Sequence, residues 1–321
     1  MIPNRPDPAA PSRAGGARLR LLPEGLEDLP WELPRGFLGL YGSGATPEGA
    51  DTWILPVPYE ATTSFGGGTR NGPQSIIDAS RYIELYDHEL DTDPSLSGIY
   101  TFPQLELARG DAAEAIGELE AAYRRVVEEA GGRRLLMLGG EHSVSSPAIA
   151  VQAKRCENRL SVLQFDAHLD LRASFEGSPY SHACALARVM DHVDIVAVGL
   201  RGISREEIEV ARARPSITAI MAEEVASGDA WIDQAVDSLA EDVYITFDVD
   251  YFDPSLVPST GTPEPGGGEW YPTLRLLRRV FESRRVVAVD VVEHAPVPGL
   301  HAPDFLVAKL VYKMIGYWTQ S

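Results

Sequence analysis

Cysteine is scarce: Cys156 and Cys184 are the only two in 321 residues, and no CxxC spacing occurs. This excludes a disulfide framework and a cysteine metal site, and fits a reduced, cytoplasmic setting. Basic residues are in deficit, 28 Lys and Arg against 47 Asp and Glu, for a formal net charge of −19. Such a field disfavours nucleic acid and favours small cations. No apolar run reaches the length of a membrane span, and the opening MIPNRPDPAAPSRAGGARLR lacks the apolar core of a secretory signal. No membrane partner is expected. Repeats, low-complexity tracts and a second composition regime are also absent, so nothing marks an internal domain boundary. Residues 1–35 are expected to form a mobile N-terminal tail, and 36–321 a single domain.

What is present is alternation. The runs TWILPVP, RRLLMLGG, LSVLQFDA, VDIVAVGL, ITAIM, VYITFDVD and RRVVAVDVVE are short, aliphatic and nearly continuous, as strands buried on both faces are. Between them lie helical patterns over 72–87, 111–130, 143–156, 182–192, 204–214, 231–240, 271–284 and 303–318. Ser204 followed by Glu207 forms a capping box, and Gly131 stands where a left-handed residue would close a helix. The alternation predicts an α/β fold, a three-layer α/β/α sandwich with a mostly parallel central sheet.

In such sheets ligands bind beyond the carboxyl ends of the strands. Three of those ends are rich in His and acidic residues: Glu141-His142, Asp166-Ala167-His168-Leu169-Asp170, and Asp248-Val249-Asp250. A lone Asp after a strand is ordinarily a turn or cap residue, and a lone His is ordinarily on the surface or hydrogen-bonded in the core. The joint pattern is different. Residues two apart on an extended segment share a face, so Asp166, His168 and Asp170 would point together, as would Asp248 and Asp250. With His142 these make four carboxylates and two imidazoles. Burying them without cations would be prohibitive, and the hard-oxygen set suits two Mn²⁺ ions better than one zinc. The Gly-rich stretches SFGGGTR and PEPGGGEW fit neither a GxGxxG nor a GxxxxGK[ST] pattern and read as loops shaping the mouth of a site. His88, His192 and His301 read as structural or surface residues, and His294 as a possible pocket residue beside Glu293.

The blocks GGEHS, FDAHLDLR, ITFDVDYFDPS followed by TGTPEPGG, and DVVEHAP resemble, in order, the signatures of the ureohydrolase family of arginases and agmatinases. The likeness runs over roughly residues 53–318 and is nearest the agmatinase branch. It implies the arginase/deacetylase sandwich, a cytoplasmic homo-oligomer (trimer or hexamer) and a small cationic guanidino substrate. It implies that His142, Asp166, Asp170 and Asp248 hold one Mn²⁺ and Asp166, His168, Asp248 and Asp250 the other, with Asp166 and Asp248 bridging. His182 matches the family's proton-shuttling histidine, Glu293 the carboxylate that grips the guanidinium, and Asp290 a supporting carboxylate near that pocket. The implied reaction is hydrolysis of agmatine to putrescine and urea by a metal-bridging hydroxide, with guanidinobutyrate, another guanidino acid or arginine as alternative substrates and a non-catalytic role as a further alternative. A zinc deacetylase on the same scaffold would carry a tandem His-His pair, and no such dipeptide exists here. Glu141 replaces the Asp usual in arginases. Arg172 stands where arginases usually have Asn, and Ser178 and Ser181 precede His182, so the arginase pattern for holding an α-carboxylate is half met.

Overall fold

The computed structural model describes residues 35–108 and 110–321; the expected tail, 1–35, lies outside them apart from Arg35. Eight strands form one sheet: β1 (Thr52–Val57), β2 (Ile99–Thr101), β3 (Arg134–Gly139), β4 (Ser161–Phe165), β5 (Asp194–Leu200), β6 (Ile217–Met221), β7 (Asp242–Asp248) and β8 (Arg285–Val292). Their order is β2-β1-β3-β8-β7-β4-β5-β6, and every pairing is parallel. The seven apolar runs are thus all strands. The eighth, β2, is a three-residue edge strand too short to show a pattern.

Strand side chains alternate between two cores. Leu136 and Leu138 of β3, Leu163 and Phe165 of β4 and Val196 and Val198 of β5 face one. Their neighbours Leu135, Met137, Val162, Ile195 and Ala197 face the other. The first core is covered by α1 (Gly72–Ser80), α6 (Ala230–Ser238), α7 (Trp270–Ser283) and α8 (Ala302–Gln320). The second is covered by α2 (Ala112–Ala130), α3 (Ser145–Ala153) and α4 (Arg205–Ala213). A short α5 (Ala222–Ala226) follows β6. Helix signals in the sequence work as expected: Ser204 and Glu207 make the reciprocal capping box of α4, and Gly131 closes α2 in the left-handed conformation.

The helix expected over 143–156 is trimmed to Ser145–Ala153, and two others depart further. The one expected over 72–87 stops at Ser80, whose hydroxyl turns back onto the Ile77 carbonyl while accepting the Leu38 N–H. The segment 182–192 is a 3₁₀ turn, His182–Cys184, followed by further turns. Leu186 and Ala187 give their N–H groups to the Asp170 carbonyl, which takes these donors out of a continuous helical ladder.

Candidate active site

The central strands β3, β8, β7 and β4 are neighbours, and the chain leaves their carboxyl ends at His142, Glu293, Asp248 and Asp166. This brings segments far apart in sequence onto one crevice, as expected for an open parallel sheet. Gly140 makes the turn after β3 possible: a Cβ there would sit 2.0 Å from the Tyr59 carbonyl oxygen.

All six expected ligands converge. His142, Asp166 and Asp248 present ligand atoms within 4.8 Å of one another, and so do Asp166, His168 and Asp250. Asp166 belongs to both groups. His142 Nδ1 lies 3.1 Å from Asp166 Oδ2, 3.0 Å from Asp170 Oδ2 and 3.4 Å from Asp248 Oδ2. His168 Nδ1 lies 2.9 Å from Asp250 Oδ2 and 3.5 Å from Asp166 Oδ1.

The route to this convergence differs from the extended-face expectation. Residues 166–170 form an irregular loop, and Asp170 has a left-handed φ of 53°. Asp248 ends β7, and Val249–Tyr251 is a 3₁₀ turn. Loop hydrogen bonds do the aiming instead. Asp166 accepts from the His168 N–H at 2.6 Å and from Gln164 Nε2 at 2.8 Å. Asp250 Oδ1 accepts from the Ala167 N–H at 3.0 Å, and Asp248 Oδ1 from the Asp250 N–H at 2.8 Å. One oxygen of Asp248 and one of Asp250 is thereby tied to the backbone, and the other faces the centre.

The donor chemistry fits cations at this centre. Thr246 Oγ1 donates to Asp290 Oδ1 at 2.7 Å, so its lone pair receives the proton of His142 Nε2 at 2.9 Å. In the neutral ring this leaves Nδ1 bare, a buried atom without a hydrogen-bond partner facing three carboxylates. A lone pair facing anionic oxygens is repulsive unless a cation stands between them. Electrostatics point the same way. Burial, then the charges of Asp250 and Asp166, holds Asp248 well above the usual carboxylate range, and burial does the same to Glu293. Burial works to depress both imidazoles, yet the facing carboxylates outweigh it: His142 lies well above its usual range and His168 is pushed up to about 12.

Beside this cluster is a cavity of about 470 Å³, lined by His168, Asp170, Asp248 and Asp250 together with His182 and Glu293. Glu293 has a left-handed φ of 63° and accepts the His142 N–H at 2.7 Å. Non-glycine residues held in that region are strained and concentrate at functional sites. His182 Nδ1 is 3.7 Å from Glu293 Oε1. Ser64 and Glu264, one from each Gly-rich stretch, line the cavity, and the Gly66 N–H donates to the carbonyl of Gly261, two residues before the second stretch.

Asp290, His294 and Arg172 are each tied to a neighbour, Arg172 within the cavity lining itself. Asp290 is fully buried beneath His142, bound to Thr246 and to the Tyr244 hydroxyl, and supports the imidazole rather than the pocket. His294 is buried against Asp304 at 2.8 Å, at the start of α8. Arg172 is engaged by Glu207 at 3.6 Å and lies over the Phe175 ring. Thr246, and Thr62, which accepts the His182 N–H, carry no signal in the sequence, because a threonine in a strand or loop is ordinary. His88, His192 and His301 are exposed, as expected.

An acidic and imidazole cluster at the carboxyl edge of a parallel sheet, beside a carboxylate-floored cavity, brings together side chains of metal-ligating type. A sequence model of the arginase family matches residues 50–316. The N(1)-aminopropylagmatine ureohydrolase of Synechocystis sp. is 37% identical over 84% of this chain and 89% of its own. The agmatinase of Pyrococcus horikoshii is 34% identical over 83% and 92%. The crystal structure of the agmatine ureohydrolase of Thermoplasma volcanium superimposes with a TM-score of 0.77 at 28% identity, covering 89% of this chain and 95% of that one. The chain belongs to the arginase family and is an agmatinase-like ureohydrolase within it.

Proposed function

We propose that the chain hydrolyses the guanidinium group of agmatine, giving putrescine and urea, with two Mn²⁺ ions held as the resemblance implies. His142, Asp166, Asp170 and Asp248 would hold one, and Asp166, His168, Asp248 and Asp250 the other. Bound divalent metal supplies hydroxide near neutral pH, which an unactivated guanidinium carbon requires. The rest falls to the chain's own side chains. Glu293, anchored through Oε1 by the His142 N–H, holds the planar cation at the cavity floor. His182, on the cavity wall, delivers the proton that the departing amine needs when the C–N bond breaks.

The observation that carries the substrate reading is the charge inventory of the cavity wall. Two arginines, Arg172 and Arg201, line the cavity; Arg172 pairs with Glu207 and lies over the Phe175 ring. Arg201 turns its guanidinium onto the backbone carbonyls of Gly199, Asp250, Tyr251, Phe252 and Glu264. The Glu264 carboxylate lines the cavity without an ion pair among the described residues. The wall therefore favours a cationic tail over guanidinobutyrate or arginine. A second reading, N(1)-aminopropylagmatine, is supported by the name of the Synechocystis relative and by a cavity of about 470 Å³, which has room for a longer polyamine.

The test is urea release by Mn²⁺-reconstituted protein from agmatine, N(1)-aminopropylagmatine, guanidinobutyrate and arginine. The cationic pair should exceed the two carboxylates in kcat/KM by about two orders of magnitude. Arginine or guanidinobutyrate matching them overturns the substrate reading, and a single tightly held zinc per chain overturns the binuclear one.

A further inference from the structure

His182 draws part of its support from outside its own segment. Its 3₁₀ turn, His182–Cys184, has no side-chain cap from Ser181, so the first N–H of the turn needs an acceptor from elsewhere. Thr62, 120 residues away in sequence, supplies it: the His182 N–H donates to Thr62 Oγ1 at 2.9 Å. The threonine hydroxyl is itself fixed, because its one hydrogen goes to Glu141 Oε1 at 2.7 Å. Glu141 is fully buried and takes three further donors, the Ala61 and Thr62 N–H groups on Oε2, both at 2.6 Å, and the Ser143 hydroxyl on Oε1 at 2.6 Å. Four donors satisfy this carboxylate in the interior, where an unpaired one would be untenable.

We infer that Glu141 and Thr62 are positioning residues for His182: the carboxylate orients the Thr62 hydroxyl, and the hydroxyl's lone pair sets the backbone from which the imidazole reaches the cavity. This deepens the proposed function and rests on its assignment of the proton role to His182. Glu141 directly precedes His142, so the strand end that aims a metal ligand also fixes the proton carrier's backbone. The His182 ring meets Phe175 edge to face, with centroids 6.4 Å apart, and has no strong polar anchor. Its Nε2 is buried without a partner, and its Nδ1 approaches only Glu293, at 3.7 Å. Misplacing a reacting group by about 1 Å costs on the order of a hundredfold in rate, so a backbone acceptor is a direct lever on turnover.

The experiment compares Thr62→Val, which keeps the shape and removes the hydroxyl, with Thr62→Ser, which restores it, and with His182→Asn. Each full-length, Mn²⁺-loaded protein is assayed for kcat, KM and metal content on the best substrate of the panel. Amide hydrogen exchange of the peptide spanning 178–185 is read on metal-free protein. Thr62→Val should lower kcat roughly ten- to a hundredfold, leave KM and metal content near the parent, and speed exchange; Thr62→Ser should behave like the parent in all four. Glu141→Gln, which places an amide donor where acceptors are needed, should move kcat and exchange in the same direction and serves if the valine variant does not fold. A Thr62→Val protein with parental kcat, equal impairment of the serine and valine variants, or loss of activity that tracks loss of metal overturns the positioning role. His182→Asn with parental turnover overturns the proton assignment itself, whereas a crippled His182→Asn beside a fully active Thr62→Val sinks only the positioning.

Discussion

At the scale of single residues, His142, Asp248 and Asp250 each have their second nitrogen or oxygen engaged, so each substitution has a distinct signature. Asp248 belongs to the His142 cluster and is proposed to serve both ions, so Asp248→Ala should abolish activity at any Mn²⁺ concentration. His142→Ala removes one imidazole, and part of its activity should return at high Mn²⁺. Thr246→Val is more diagnostic. It leaves every ligand in place but removes the acceptor that fixes the His142 tautomer, along with the link to Asp290. Losing such a supporting contact costs metal affinity by about 10- to 100-fold. Mn²⁺ titration should show that loss, with kcat near the parent at saturation; unchanged affinity would mean the tautomer is fixed without Thr246. The clustering of these residues was legible in the sequence because acidic residues and histidines gathered behind several apolar runs have no ordinary joint structural use. Thr246, Thr62 and the weight carried by Glu141 were not, since their meaning lies in partners 44, 120 and 79 residues away.

At the scale of elements, hydrophobic continuity revealed seven strands, and the capping box and terminal glycine marked helix ends. What defeated pattern reading was tertiary hydrogen bonding. The 182–192 stretch is helical in pattern but surrenders two N–H groups to Asp170, and the supposed shared face of Asp166, His168 and Asp170 is a loop drawn together by backbone donors. The loop between β7 and α7 illustrates how such segments are placed. Arg201 holds the Glu264 carbonyl through Nε at 3.1 Å and Nη2 at 2.7 Å, so the Glu264 side chain lines the wall next to His168. A partly exposed ion pair contributes no more than about 1 kcal/mol. Glu264→Gln should therefore lower kcat/KM for agmatine a few-fold and leave guanidinobutyrate unchanged or improved. If the ratio between the two substrates does not move, the far ammonium is held elsewhere.

At the scale of the whole molecule, the last helix is tied to the opposite end of the chain by a buried charge. Lys313 of α8 donates to both oxygens of Asp87, at 2.9 and 2.8 Å, and to Glu89 at 2.6 Å, while the Tyr317 hydroxyl also binds Glu89. Lys313 and Asp87 are only 4% and 2% exposed. Breaking such a pair by removing one partner costs about 3–5 kcal/mol, because the other charge stays buried. Burial acts to raise Asp87 and Glu89, but hydrogen bonds from Lys313 outweigh it, and both carboxyls lie below their usual range. A lowered folded value means this stability is fully present above the unfolded carboxylate value of about 4 and is lost as pH falls through the folded values. In Lys313→Met the sign changes: without its cation the buried Asp87 prefers to be protonated, so acid relieves the defect. Urea unfolding of the parent and Lys313→Met should accordingly show a deficit of several kcal/mol at pH 7 that shrinks towards pH 4. A deficit that is the same at both pH values would mean that Lys313 acts through the packing of its aliphatic stem and not through its charge.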